Sequence, residues 1–95
     1  MNIVFDWDSE KNESLISSRG VSFEEVIAII ESGDILDIIE HPNKSKYSHQ
    51  KMYVIEINCY VYLVPFVQDK NKIFLKTIIP NRKAQKKYLG NDSEE

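Results

Sequence analysis

At 95 residues and 42% apolar composition, the chain fits one small globular domain and leaves no room for a second. A single cysteine excludes an internal disulfide, no run of about 18 apolar residues offers a membrane span, and MNIVFDWDSEK lacks the pattern of a signal peptide, so a cytoplasmic protein is expected. The net charge of −3 hides a split: residues 1–68 carry five Lys and Arg against eleven Asp and Glu, residues 69–90 carry seven against Asp69 alone, and the closing NDSEE is acidic, so the local field matters more than the mean.

NIVFDWD reads as a short opening strand, with Ile3, Phe5 and Trp7 alternating with Val4 and Asp6. Ser9 or Asp8 caps a polar helix over residues 9–18, whose main apolar contacts are Leu15 and Ile16; Gly20 supplies its left-handed stop, and Trp7 anchors it on the sheet. SFEE at 22–25 has the form of a capping box, in which the Ser22 hydroxyl and the Glu25 carboxylate satisfy one another's backbone amides. Phe23, Val26, Ile27, Ile29 and Ile30 follow as an apolar helix face that Gly33 ends, so residues 9–33 form a helix hairpin.

After Gly33 the period changes. DILDII is either strand or irregular chain, and residues 41–50 are a polar loop. KMYVIEIN places Tyr53, Ile55 and Ile57 in phase, and CYVYLVPFV is apolar on both faces, as a central strand is; Asn58 turns the chain between them. Cys59, inside that apolar run, is expected to be a reduced core or strand residue. Pro65 removes a ladder donor and points to a bulge or a strand end. QDKNK is a hairpin turn and IFLKTIIP a further strand, interrupted by Lys76, whose side chain must reach the open face of the sheet. RKAQKKYL is a short terminal helix with Ala84, Tyr88 and Leu89 inward. This order predicts an α+β fold: an N-terminal strand, a two-helix hairpin on one face of an antiparallel sheet of three to four further strands, and a short C-terminal helix. Residues 1–90 make one domain and 91–95 a disordered acidic tail.

Most chemistries lack the residues they need. Only Gly20, Gly33 and Gly90 are present, too few for a phosphate-binding glycine loop; His41 and His49 are poorly spaced for a metal; and there is no nucleophile–histidine–acid triad, so no metal or cofactor is expected. The best lead is the basic run Arg82, Lys83, Lys86 and Lys87. Its bland account is a solvated helix whose lysines favour the negative C-terminal end. Its functional account is that Arg82 and Lys83, just past a strand end, join Lys76 in holding phosphates, with Lys86 and Lys87 adding diffuse attraction. Five tyrosines, among them Tyr60, Tyr62 and Tyr88, suit half-buried packing first and base stacking second. The loop KSKYSHQK adds Lys51 and His49; His49 has the chemistry of a general acid or base, although surface-loop histidines are more often inert.

These residues are similar to the BrnT toxin family. FDWDSEKNESLISSRGVSFEEV shares Trp7, Asp8, Lys11, Asn12, Gly20, Ser22, Phe23, Glu24 and Glu25 with the family's opening signature. KTIIPNRKAQKKY resembles its closing motif, an Ile-Ile-Ser-Ala-Arg-Lys-Ala run followed by basic residues and a tyrosine, and Arg82 falls on the motif arginine. The resemblance implies a RelE-like fold and a single toxin-like domain. It implies a metal-independent ribonuclease that inhibits translation, and a DNA-binding antitoxin from an adjacent gene, with which it represses its own operon; the assembly is either a homodimer or a heterotetramer with the antitoxin. Arg82, Lys76 and His49 are then the catalytic candidates, and Lys83, Lys86, Lys87, Lys51 and Tyr88 the RNA-binding ones, with Lys76, Lys83 and His49 resting on the residues alone. The chain departs from the family at Arg19, where histidine is usual, at Pro80-Asn81 for Ser-Ala, and at Lys51 and Lys76, where arginines are common. The alternative is a toxin-fold binding module with weak or no nuclease activity, whose acidic Glu24, Glu25 and Glu31 meet a basic partner.

Overall fold

The helix hairpin forms where its capping residues put it. In the computed structural model, which describes residues 3–40 and 50–89, α1 (Ser9–Arg19) starts at Asp8, whose carboxylate accepts from the Glu10 amide at 2.9 Å. It stops at Gly20, at φ 71°, where a side chain would strain the backbone. α2 (Phe23–Ser32) carries the complete capping box: Ser22 Oγ accepts from the Glu25 amide at 3.2 Å, and the Glu25 carboxylate accepts from the Ser22 amide at 3.0 Å. The helices are joined by a buried polar bridge. Asn12, only 7% exposed, accepts from the Phe23 amide at 2.8 Å and donates to the Glu24 carboxylate at 2.9 Å. Leu15 is buried, but Ile16, expected as a second core contact, is 50% exposed. The apolar face of α1 is one residue wide, so Asn12 supplies what apolar contact does not.

The sheet runs β1 (Val4–Asp6), β5 (Lys72–Leu75), β4 (Tyr60–Asp69), β3 (Gln50–Ile57), β2 (Asp37–Glu40), with β6 (Ile79–Pro80) beside β4. DILDII thus resolves into a strand at its end. β3 and β4 meet through Asn58 and Cys59, both at positive φ (54° and 66°), as a two-residue turn matched to the strand twist requires. Cys59 is therefore an exposed turn residue and not the core or strand residue its apolar neighbours suggested. A second correction concerns strand direction and number. β1 lies parallel to β5, with Val4 opposite Lys72 and Asp6 opposite Phe74, so the sheet is mixed, and five strands follow β1.

The third correction is that helices cover both faces. Tyr53, Ile55, Ile57, Val64, Phe66, Ile73 and Leu75 pack with Leu15, Val21, Phe23 and Val26 of the hairpin side. Met52, Val54, Val61 and Leu63 point the other way and pack with Ala84, Tyr88 and Leu89 of α3 (Arg82–Leu89). Period-two alternation along β3 and β4 feeds both cores at once.

Pro65 explains how the chain reaches α3. Phe66 faces Leu75, whereas Leu63 faces Ile79, so three steps along β4 are answered by four along its partner. This is a β-bulge. At its start the Lys76 amide donates to the Pro65 carbonyl at 2.8 Å, but proline has no N–H to return. The extra residue turns Ile78, fully buried, into the hairpin-side core beside Leu75.

Candidate nucleic-acid interface

Three polar side chains fix α3 on the sheet. Asn81 caps it, its side-chain oxygen accepting from the Ala84 amide at 2.8 Å. Gln85 reaches the end of β4, accepting from the Val61 amide at 2.7 Å and donating to the Cys59 carbonyl at 3.3 Å. Tyr88 donates its hydroxyl proton to the Asp37 carboxylate of β2 at 2.6 Å. Upstream, the Arg19 guanidinium donates to the Ile78 carbonyl at 2.7 Å, which ties the end of α1 to the strand that leads into α3. Sequence reasoning missed Arg19, Asn81 and Gln85 as positioning residues. Asn81 had a signal, a capping type just before a helical run; Gln85 had none, because its partners are backbone atoms of another element.

The four cations of α3 divide by helical geometry. Lys83 and Lys87, four residues apart, edge a groove of about 310 Å³ between the helix and the sheet, whose floor is Ile39, Met52, Leu63 and Ala84. Arg82 and Lys86, also four apart, do not line it and are exposed. The expected grouping, Arg82 with Lys83 as the functional pair and Lys86 with Lys87 as a solvated face, follows sequence order, whereas the fold groups them by turn. None of the four forms an ion pair with a described residue; the Lys72 ammonium, by contrast, lies 3.5 Å from the Asp6 carboxylate.

The other nominated residues scatter. Lys76 is exposed on the face that carries α3, its ammonium 5.9 Å from the centre of the Phe74 ring. It stands two residues along β4 from the β6 pairing, about 7 Å at a strand's rise. Lys51 is on the opposite face, in a separate recess with Phe66, Gln68 and Lys70, so it does not join the α3 cluster. His49 lies outside the described residues. Glu24 and Glu25 hydrogen-bond within the hairpin, to the Asn12 side chain and the Ser22 amide, and both stay exposed.

Tyr88 and Asp37 shift one another in opposite directions. The hydrogen bond from Tyr88, then that from the Ile38 amide, holds the Asp37 carboxyl below its ordinary 3.8. The same bond to Asp37 raises the Tyr88 phenol above its ordinary 10.0. A depressed acid stabilises the fold above its unfolded pKa and loses that contribution as pH falls through the folded value. A raised phenol stabilises below 10.0 and loses its contribution as pH rises through its folded value. Tyr88→Phe is therefore expected to flatten both the acid and the alkaline limb of α3 stability. Melting curves or amide exchange of α3 across pH check this; unchanged limbs would show that the bond has no energetic weight.

Among the described residues no helix is long and apolar enough to cross a membrane. No curated protein sequence matches the chain. A family model does, described as the ribonuclease toxin BrnT of type II toxin–antitoxin systems, and it spans residues 7–87, from the Trp7 that meets Phe23 at 6.1 Å between ring centres to the Lys87 that edges the α3 groove. Membership of a type II system implies an antitoxin partner. With a match that reaches from the helix hairpin through the sheet to the basic helix, the chain belongs to the BrnT family of ribonuclease toxins.

Proposed function

We propose that the protein cleaves RNA without a metal ion and so inhibits translation, until its antitoxin covers the face that carries α3. A RelE-like origin of the fold is part of the same reading. The observation that carries it is the array of α3 cations, none of them in an ion pair with a described residue and the helix fixed on the sheet by Asn81, Gln85 and Tyr88, in a chain that matches a ribonuclease family. The RNA 2′-hydroxyl gives up its proton and attacks the adjacent phosphorus, the bond to the 5′-oxygen breaks as that oxygen takes up a proton, and in between negative charge grows on the non-bridging oxygens. Arg82, at the first turn of α3, meets that charge with its planar fork and adds to the positive end of the helix dipole. Lys83 and Lys76 extend the cationic surface, Lys86, Lys87 and Lys51 draw in the polyanion, and His49 carries a proton. Tyr88 acts through its ring and its hold on Asp37, since its proton is engaged and its pKa raised.

One observation favours the alternative, a binding module with little nuclease activity: Lys51 stands on the face opposite α3, which thins the phosphate-binding set. Incubation of the purified chain, freed of antitoxin, with end-labelled RNA in EDTA separates the two. The ribonuclease reading expects products ending in a cyclic or 3′ phosphate. Intact RNA together with tight antitoxin binding would replace it with the binding-module reading.

A further inference from the structure

The groove beside α3 differs from a phosphate site. Its floor is made of aliphatic, thioether and methyl groups, from Ile39, Met52, Leu63 and Ala84, and a bare anion gains nothing there. Its helix-side edge carries Lys83 and Lys87, one turn apart. A ligand that uses both parts has a flat apolar body and an anionic substituent. We propose that this groove is a nucleobase subsite, which takes one base of the RNA strand whose phosphates lie along α3. The inference rests on the ribonuclease reading and deepens it.

Three features fit a nucleotide. The cavity, about 310 Å³, lies at the small end of ligand sites, which run from about 300 Å³, so it suits one base with its sugar and not a stack of bases. Every base has a broad, weakly polar face that an aliphatic floor can cover whatever its identity, which gives binding without strong sequence preference. Asn81 adds the discriminating group. Its side-chain oxygen is committed to the Ala84 amide and the residue lines the groove, so its NH₂ is the group that would donate to a base carbonyl.

Methyl NMR of the full chain tests this without depending on cleavage. The probes are the Met52 and Ile39 methyls, and the ligands are nucleoside 5′-monophosphates, ribose 5-phosphate, and a 2′-O-methyl oligoribonucleotide with an abasic position scanned along it. The expected result is a ring-current shift of both methyls with the nucleotides and none with ribose 5-phosphate. One abasic position of the oligomer should weaken binding about tenfold or more, as the apolar contact of that base with the floor is lost, and Lys87→Glu should weaken every oligomer. Oligomer binding with a flat abasic scan and unmoved methyls would overturn the subsite and leave the ribonuclease reading standing. Methyl shifts produced only by the antitoxin would also overturn it, by assigning the groove to a peptide. Cleavage that survives Arg82→Ala would strike the catalytic assignment while the methyl shifts still decide the groove.

Discussion

Arg82→Ala is expected to lower RNA cleavage on the order of 10²–10³-fold, the usual cost of removing one charge-stabilising donor from an active site, while the protein melts no lower than the unsubstituted chain. The two parts of this result have the same cause. Arg82 is exposed, makes no hydrogen bond or ion pair with a described residue, and contributes nothing to the core. It opens a helix whose first turn holds no acidic residue, and it faces Lys86 one turn on. A cation at the positive end of the helix dipole costs roughly 0.3–1 kcal/mol, and a like-charged neighbour four residues away a few tenths more. Arg82→Glu is accordingly expected to raise the melting temperature at low salt, a gain that fades as salt screens the pair. Initial rates on labelled RNA, run beside thermal melts of the same samples, check both. A destabilised Arg82→Ala protein, or an active one, would remove Arg82 from the role given to it.

Asn12→Ala is expected to have the largest effect on stability, about 2–4 kcal/mol, and to lower the melting temperature on the order of 10–20 °C. The substitution removes the acceptor of the Phe23 amide, which is buried, and the donor to a carboxylate. No water reaches the stranded amide as freely as it would in the unfolded chain, so the desolvation cost stands uncompensated. Chemical denaturation beside Glu24→Gln distinguishes the two bonds, since that variant keeps the Phe23 contact and should be much milder. The Asn12 bond is also the first cause of the lowered Glu24 pKa. Its contribution is present above the ordinary carboxylate value of 4.5 and is lost as pH falls through the folded one, so the acid sensitivity of the hairpin should shrink in Asn12→Ala.

The helix hairpin was legible because its signals are local. Asp8, Ser22, Glu25 and the two αL glycines act within a few residues of their own positions, and the helices begin and end where those residues put them. The family match was legible for the same reason, since Trp7, Asn12 and the SFEE box form a physical unit at the contact of α1 and α2. What could not be read depended on distant pairing. β1 runs parallel to β5 across more than sixty residues of chain, and nothing in VFD states its direction. Cys59 looked like strand because its apolar neighbours hid a turn that needs positive φ at both central residues. The candidate site divided along the same line. The cation run was visible, but its division into a groove-edging pair and a solvent pair required knowing which side of α3 meets the sheet, and the apolar floor comes from three separate strands and α3 itself.

The bulge at Pro65 has a consequence for how the gene can change. Beyond Leu75 the ladder skips one position, so the short stretch before Ile79 is a place where chain length and side-chain orientation are coupled. Deleting one residue there would leave three steps facing three, a regular edge that keeps Ile78 two positions from Leu75 on the hairpin-side face, whereas inserting one beside the existing bulge would swing Ile78 out of the core and rotate the start of α3 to the wrong side. An insertion tolerable in most surface segments would here exchange the hydrophobic anchor and the cationic face in a single step. Substitutions to the cationic residues are thus the open route for tuning this toxin, and single-residue insertions before the basic helix are the closed one.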